Sequence, residues 1–133
     1  MGTELRKRVV VIGEDDEPIA ILLHDAISDA GGYQAVVVAD GALVLETVRQ
    51  VQADLLILDI MMPGLTGFEV YDRVQSDPDI KAMPVLFVSA ATAAYQEEIK
   101  SRKIDNVIDK PFDLNQLLDR VRLLCPPDAG GKT

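Results

Sequence analysis

The chain has 133 residues, which is the size of one ordinary domain. Its formal net charge of −9 argues against direct nucleic-acid binding, because phosphate backbones are bound by a surplus of Lys and Arg. No apolar run reaches the ~18 residues of a membrane span and the charged N-terminus does not resemble a signal peptide, so no membrane partner is expected. The single cysteine excludes a disulfide within the chain and favours a reducing compartment, so we predict a cytoplasmic location.

Short apolar runs alternate with segments of helical periodicity. The runs are rich in β-branched residues, which is typical of strands buried on both faces of a parallel sheet. They lie at residues 9–12, 35–38, 55–58 and 85–88, with a weaker fifth run at 106–108. Asp40 and Asp113 are predicted N-caps, Asp77 is predicted to end the third helix, and the fourth helix is predicted over residues 93–102.

Apolar residues form a stripe on each predicted helix. In the first helix the stripe includes Leu22 and Leu23, and in the second it includes Leu43 and Val44, so all four are expected to face the core. The order of elements is βα repeated five times. Short connections and right-handed crossovers then predict an α/β fold with an open parallel sheet and helices on both faces.

Charged and hydroxyl residues stand where the predicted strands end. They are Glu14, Asp15, Asp16 and Glu17 after the first strand, Asp59 after the third, Ser89 at the fourth and Lys110 after the fifth. Ligands of open parallel sheets bind at the carboxyl ends of the strands, so these residues form the candidate site. Acids in such positions also serve as helix N-caps, and this alternative is favoured for Asp16 and Glu17.

The clustered carboxylates predict a cation site. Neighbouring carboxylates disfavour one another's ionisation, and a hard divalent cation removes this penalty. Mg²⁺ is usually held by one or two carboxylates together with phosphate oxygens, so Asp15, Asp59 and a backbone carbonyl would bind it beside a phosphoryl donor. Asp59 ends a fully apolar strand and is the best nucleophile, because carboxylates can form aspartyl phosphate. Lys110 would pair with the phosphoryl oxygens, and Ser89 would donate a hydrogen bond to them.

Four motifs occur in an informative order. They are Glu14-Asp15-Asp16, the run from Leu56 to Gly67 with its Asp-x-x-Met-Pro-x-x-x-Gly pattern, Ser89-Ala90, and Lys110-Pro111-Phe112. Together they resemble the receiver domain of two-component response regulators, over about residues 7–125. The resemblance implies a flavodoxin-like sheet with strand order 2-1-3-4-5 and five helices. It also implies a phosphoacceptor signalling domain rather than an enzyme.

The resemblance also assigns roles at the site. Asp59 would be phosphorylated by a histidine kinase or a histidine phosphotransfer protein, with Mg²⁺ as cofactor. The implied metal ligands are Glu14, Asp15, Asp59 and the Met61 backbone carbonyl, with Asp16 as the alternative to Asp15. Ser89 would be the switch hydroxyl and Lys110 the phosphate-pairing lysine, followed by a cis bond to Pro111.

One departure from the family pattern concerns signalling. Val107 stands where the family usually has an aromatic switch residue, so the usual coupling from hydroxyl to aromatic cannot operate. A receiver-like interaction module that does not depend on phosphate is therefore the alternative function. A phosphatase of the haloacid dehalogenase type is disfavoured, because Asp59-Ile60-Met61 lacks the second aspartate.

The expected output surface covers residues 92–124, and dimerisation through this surface is compatible with the sequence. The output partner is unknown. We expect residues 1–7 to be a disordered or artificial N-terminal segment, residues 8–125 to form the receiver domain, and residues 126–133 to be a tail or linker. A stand-alone regulator and a receiver within a longer protein both fit this organisation.

Overall fold

The computed structural model describes residues 6–127, and its strands and helices alternate. The strands are Arg8–Gly13 (β1), Tyr33–Val38 (β2), Leu55–Leu58 (β3), Val85–Ser89 (β4) and Val107–Asp109 (β5). The helices are Glu17–Asp29 (α1), Gly41–Val51 (α2), Gly67–Ser76 (α3), Gln96–Ser101 (α4) and Leu114–Leu124 (α5). Within the described residues, every helix is too short or too polar to cross a membrane. The predicted terminal segments lie almost wholly outside the described residues, so those domain boundaries stay predictions.

The five strands form one parallel sheet in the order β2-β1-β3-β4-β5, which confirms the predicted fold class and strand order. The centre of the sheet is β1 and β3, in which Gly13 lies opposite Leu58. The strand order reverses between these two strands, because β2 lies outside β1 and the later strands lie beyond β3. Their carboxyl ends are therefore the expected position of a functional site.

Both faces of the sheet carry a hydrophobic core. Successive strand residues point to opposite faces, so each central strand serves both cores. In β3, Leu56 and Leu58 pack in the core beneath α2, α3 and α4, whereas Leu55 and Ile57 pack in the core beneath α1 and α5. A strand buried on both faces needs a continuous apolar run, which is why β3 was recognisable in the sequence.

Polar side chains define most helix boundaries. Asp40 and Asp113 cap α2 and α5 as predicted, each accepting a hydrogen bond from a backbone N–H of the first turn. Thr66 and Glu69 form a reciprocal capping box at the start of α3, and Asp77 ends that helix. Helices α2, α3 and α5 therefore begin at residues whose side chains satisfy otherwise unpaired N–H groups.

Two predicted core residues are exposed. Leu22 on α1 is 44% exposed and Leu43 on α2 is 53% exposed, whereas their neighbours Leu23 and Val44 are fully buried. Consecutive residues of a helix differ by about 100° around its axis, so only part of a broad apolar stripe can face the sheet. The prediction of a core position was wrong for Leu22 and Leu43.

The fourth helix is shorter than predicted. In place of one helix over residues 93–102, the structure has a 3₁₀ turn at Thr92–Tyr95 followed by α4, and neither begins with a side-chain cap. In place of a side-chain cap, the Ala94 N–H donates to the Ala91 carbonyl at 3.1 Å, the i→i+3 pattern of a 3₁₀ turn. This segment is consequently less regular than the other four helical connections.

Tyr33 joins the outer strand β2 to the end of α5. Its side chain is 2% exposed, and its hydroxyl donates a hydrogen bond of 2.6 Å to the backbone carbonyl of Cys125. Burial raises the pKa of Tyr33 above its ordinary value of 10.0, because ionisation would place a phenolate in an apolar environment. The fold therefore favours the neutral hydroxyl.

Replacing Tyr33 with Phe tests this contact. We expect Tyr33→Phe to lower the free energy of unfolding by about 1 kcal/mol at pH 7, because the Cys125 carbonyl loses a buried donor. A raised folded-state pKa gives stability that is complete below pH ~10 and is lost as the pH rises through that pKa. The gap between wild type and variant should therefore shrink above pH ~10. Urea unfolding at several pH values measures the difference in the free energy of unfolding between wild type and variant. A difference that does not change with pH would contradict the prediction.

Candidate functional site

The ends of β1, β3 and β5 bring three predicted site residues together. Glu14 follows β1, Asp59 follows β3 and Lys110 follows β5. The backbone N–H of Asp59 donates to the carbonyl of Gly13 at 3.0 Å, which fixes the first two strand ends relative to each other. The predicted convergence of charged residues at this edge of the sheet is therefore present.

Lys110 contacts both buried carboxylates. Its ammonium Nζ lies 2.7 Å from Glu14 Oε1 and 2.9 Å from Asp59 Oδ2. Glu14 is only 2% exposed and Asp59 is 8% exposed, so neither carboxylate is well solvated. Hydrogen bonds between charged groups are stronger than those between neutral groups. Here they offset part of the free-energy cost of burying the two carboxylates.

Burial raises the pKa of Glu14 above its ordinary value, although the hydrogen bonds from Lys110 and from the Asp16 backbone N–H act in the opposite direction. Burial also acts to lower the pKa of Lys110. Its hydrogen bonds to Glu14 and Asp59 outweigh that effect and leave the pKa raised. The lysine is therefore a permanent positive charge near neutral pH.

A third acid completes the cluster. Carboxylate oxygens of Glu14, Asp15 and Asp59 lie within 4.8 Å of one another, and Asp15 is exposed to solvent. Asp16 points elsewhere, because its side chain caps α1 by accepting a hydrogen bond from the Ile19 N–H. The geometry brings Glu14 and Asp15 to the Asp59 carboxylate, and it places Asp16 at the N-cap of α1, the alternative that the sequence favoured for it.

The cluster fits a hard divalent cation. Three carboxylates face a single ammonium, so the ionised site has an excess of two negative charges. Clustered carboxylate oxygens, one of them on the solvent-exposed Asp15, match the oxygen ligands and retained water that Mg²⁺ prefers. A bound divalent cation would neutralise the excess charge, which Lys110 alone cannot do.

The loop after β3 is held by close packing at Gly67. The Met61 N–H donates to Asp59 Oδ1 at 3.3 Å, which orients the carboxylate. The first residue of α3, Gly67, passes so close that an added Cβ would lie 2.3 Å from the Asp59 carbonyl oxygen. Only glycine fits at this contact. The spacing from Asp59 to Gly67 in the sequence motif thus has a steric reason.

Ser89 lies at the end of β4 beside Lys110. The Lys110 N–H donates to the Ser89 carbonyl at 3.0 Å, and the bond from Lys110 to Pro111 is cis, as the resemblance implied. The Ser89 hydroxyl oxygen accepts a hydrogen bond of 3.1 Å from the Ala91 N–H, which leaves its proton available to a nearby acceptor. Val107 pairs with Phe87 in the neighbouring strand and packs at the edge of the core.

Sequence reasoning missed two residues near the site. Thr92 donates a hydrogen bond to the carboxylate of Asp109, the residue before Lys110. The hydroxyl of Tyr95 contacts the sulfur of Met61 at 3.2 Å. The sequence does offer one signal, since Tyr95 is the first large side chain after the run of small residues that follows Ser89.

The family model of the response regulator receiver domain matches residues 10–122. The chain belongs to this family. This receiver domain is 29% identical over 119 residues to the DNA-binding response regulator MtrA of Mycolicibacterium smegmatis, a match that covers 89% of this chain and 50% of MtrA. The chain thus spans about half the length of the curated relatives that it matches.

Solved structures agree with this assignment. Chemotaxis protein CheY4 of Vibrio cholerae superposes with a TM-score of 0.79 at 27% identity, over 89% of this chain and 98% of CheY4. The receiver domain of sensor histidine kinase PA1611 from Pseudomonas aeruginosa has a TM-score of 0.76 at 19% identity, over 89% of this chain and 97% of that domain, and supports the fold alone. That domain was solved with a magnesium ion coordinated in its active site cleft. Receiver domains are signalling domains of two-component systems, and they bind Mg²⁺ in their acidic site.

The contact at Gly67 leads to a prediction for Mg²⁺ binding. Alanine favours a helix over glycine by about 1 kcal/mol, but the clash with the Asp59 carbonyl should reverse this gain. We expect Gly67→Ala to lower the free energy of unfolding by about 1–3 kcal/mol and to weaken Mg²⁺ binding, because the displacement falls on Asp59.

Gly31→Ala is the control, since an added Cβ there meets no atom within 4 Å and the cost comes only from φ of +81°. It should lose stability while its Mg²⁺ affinity stays that of the wild type. Calorimetric titration with Mg²⁺ distinguishes the two variants. Wild-type Mg²⁺ affinity in Gly67→Ala would contradict the argument.

Proposed function

We propose that Asp59 accepts a phosphoryl group from the phosphohistidine of a histidine kinase or a histidine phosphotransfer protein. The observation that carries the proposal is the Lys110 ammonium, which lies 2.9 Å from Asp59 Oδ2 and so beside the position of an incoming phosphoryl group. Phosphoryl transfer depends on positioning and on neutralising the equatorial oxygens. A fixed carboxylate, an adjacent cation and an acidic metal site are the parts that this chemistry needs.

Glu14, Asp15, Asp59 and the backbone carbonyl of Met61 are the proposed Mg²⁺ ligands. Support comes from the clustering of the three carboxylates. Met61 lies two residues after Asp59, in the loop that follows β3. Bound Mg²⁺ supplies charge neutralisation for the donor and the acceptor. Asp16 is not proposed as a main ligand, because it caps α1.

The chain's own residues would perform the transfer in one displacement. A carboxylate oxygen of Asp59 forms the new bond to phosphorus as the bond from phosphorus to the histidine nitrogen breaks. The electron pair leaves with the imidazole of the donor, which then takes up a proton. Lys110 holds the transferred oxygens, and it stays protonated because its pKa is raised.

Ser89 is the proposed switch hydroxyl. The transferred group brings about two negative charges and new acceptor oxygens to the site, and Ser89 can donate its free proton to one of them. This contact exists only in the phosphorylated state, so it shifts the population between two arrangements of the segment after β4. The surface at residues 92–124 is the proposed output surface, and it would also serve a dimer.

The proposal concerns this domain alone. Its matched relatives are about twice its length and include DNA-binding regulators, so the output of the whole protein depends on what the domain is joined to or contacts. Direct binding of nucleic acid by the domain itself is not proposed, because its net charge is −9. Its cytoplasmic location stays a prediction.

Intact-mass measurement tests the phosphoacceptor. Incubation with Mg²⁺ and acetyl phosphate should add the mass of one phosphoryl group to the wild type, and chelation of the metal should prevent it. Asp59→Asn should show no gain, because the amide is a poor nucleophile while its size is unchanged. Phosphorylation of Asp59→Asn at the wild-type level would place the acceptor elsewhere. No gain in the wild type, despite normal folding, would favour the phosphate-independent interaction module.

A second pair of variants tests the metal ligands. We expect Asp15→Asn to weaken Mg²⁺ binding by at least about tenfold, since even residues outside the first shell of a metal can contribute that much. Asp16→Asn is the matched control. Asn caps helices as well as Asp does, so this variant should keep both its stability and its Mg²⁺ affinity. Calorimetric titration measures both variants, and the opposite ranking would make Asp16 the ligand.

A further inference from the structure

Val107 leaves this receiver domain without an aromatic residue on β5, yet an aromatic cluster lies between the acceptor loop and α4. Its centre is Phe68, the second residue of α3 and 6% exposed. The rings of Tyr95 and Phe87 each lie 5.7 Å from the Phe68 ring, and the Tyr95 ring meets it edge-on at an interplanar angle of 63°. Such tilted and edge-to-face pairs are the favourable geometries for aromatic rings.

The residues that flank the two ends of α4 both contact the Phe68 ring. Tyr95 immediately precedes the helix, and Arg102 immediately follows it. The guanidinium of Arg102 lies 4.7 Å from the centre of the Phe68 ring and makes two hydrogen bonds to the carboxylate of Asp72 on α3. A movement of α4 relative to α3 must therefore change one of these two contacts, and of the two only Tyr95 also reaches the acceptor loop.

Tyr95 also contacts the segment that carries the phosphoacceptor. Its hydroxyl lies 3.2 Å from the sulfur of Met61, and the Met61 N–H donates to Asp59 Oδ1. Thr92, at the other end of the same 3₁₀ turn, donates to Asp109 beside Lys110. The turn is thus attached to both sides of the site, and Ser89 lies just before it.

We propose that Tyr95 is the positioning residue that couples the Asp59 loop to α4, in place of the aromatic residue absent at position 107. The inference rests on the proposed function. When Ser89 moves toward the phosphoryl group, the turn at Thr92–Tyr95 is displaced. Tyr95 transmits this displacement through its ring to Phe68 and α4, and through its hydroxyl to Met61.

NMR of the complex with beryllium fluoride, a mimic of the aspartyl phosphoryl group, tests the coupling. Addition of Mg²⁺ and beryllium fluoride to wild type should shift the amide signals of Lys110 at the site and of Ile99 on α4. In Tyr95→Leu the Lys110 signal should still shift, whereas the Ile99 response falls. Losing an edge-to-face ring pair changes such an equilibrium about two- to tenfold. A full Ile99 response in Tyr95→Leu would overturn the inference.

Two further variants separate coupling from general loss of packing. Tyr71→Leu removes another ring of the cluster, one that lies 5.8 Å from Phe87, and it should keep the Ile99 response. Tyr95→Phe keeps the ring on Phe68, so it should restore the Ile99 response lost in Tyr95→Leu. An equal loss in Tyr71→Leu, or no rescue by Tyr95→Phe, would overturn the inference.

The contact with Met61 has its own measurement. Tyr95→Phe should weaken Mg²⁺ binding about two- to tenfold, which is the range for the loss of one hydrogen bond, here from the Tyr95 hydroxyl to the Met61 sulfur. Met61→Leu should do the same, and the double variant should add nothing further. Fully additive effects would overturn this part of the inference.

A wild type without a Lys110 response overturns the proposed function and the inference with it, whereas a Lys110 response without an Ile99 response overturns the inference alone.

Discussion

Lys110 places a positive charge within 2.7 Å of Glu14 and 2.9 Å of Asp59, and the rest of the site is arranged around this contact. The two acids are nearly buried, and burial is the main cause that raises the pKa of Glu14, with the charge of Asp59 acting in the same direction. Charges so poorly solvated are tolerated only when they are paired. The ammonium supplies that pairing, but it leaves an excess of negative charge at three carboxylates. The domain thus keeps an acidic site that is balanced only when a cation joins it.

This incomplete balance also makes the site responsive. A phosphoryl group on Asp59, as proposed, would add about two negative charges and new acceptor oxygens to a location that already has an excess of negative charge. The Lys110 N–H donates a hydrogen bond to the Ser89 carbonyl, and the Ser89 hydroxyl oxygen accepts one from the Ala91 N–H. The segment after β4 is the least regular connection in the fold, because no side chain caps it. Charge added at Asp59 would therefore lie beside a segment that has no side-chain cap and is held by the contacts of Thr92 and Tyr95.

The loop after β3, in contrast, is closely packed against the starts of two helices. Gly67 leaves no space for a side chain against the Asp59 carbonyl, and Gly41 approaches Leu65 so closely that an added Cβ would lie 1.8 Å from its carbonyl oxygen. Two helix starts thus fix the backbone that carries the acceptor. A closely packed loop after β3 beside a less regular segment after β4 is consistent with the proposed coupling toward Tyr95 and α4.

The sequence by itself determined the order of strands and helices and the residues that meet at the candidate site. Continuous apolar runs such as Leu55–Leu58 marked the buried strands, and the residues directly after them had to share one edge of the sheet, so the convergence of Glu14, Asp59 and Lys110 was predictable. Only the tertiary structure decided that Asp15 joins the carboxylate cluster and that Asp16 caps α1. The two residues are of the same type, and only the directions of their side chains differ. It also decided that Tyr95 meets Phe68 and Met61. Contacts between residues far apart in the chain depend on packing distances, and no local pattern in the sequence encodes them.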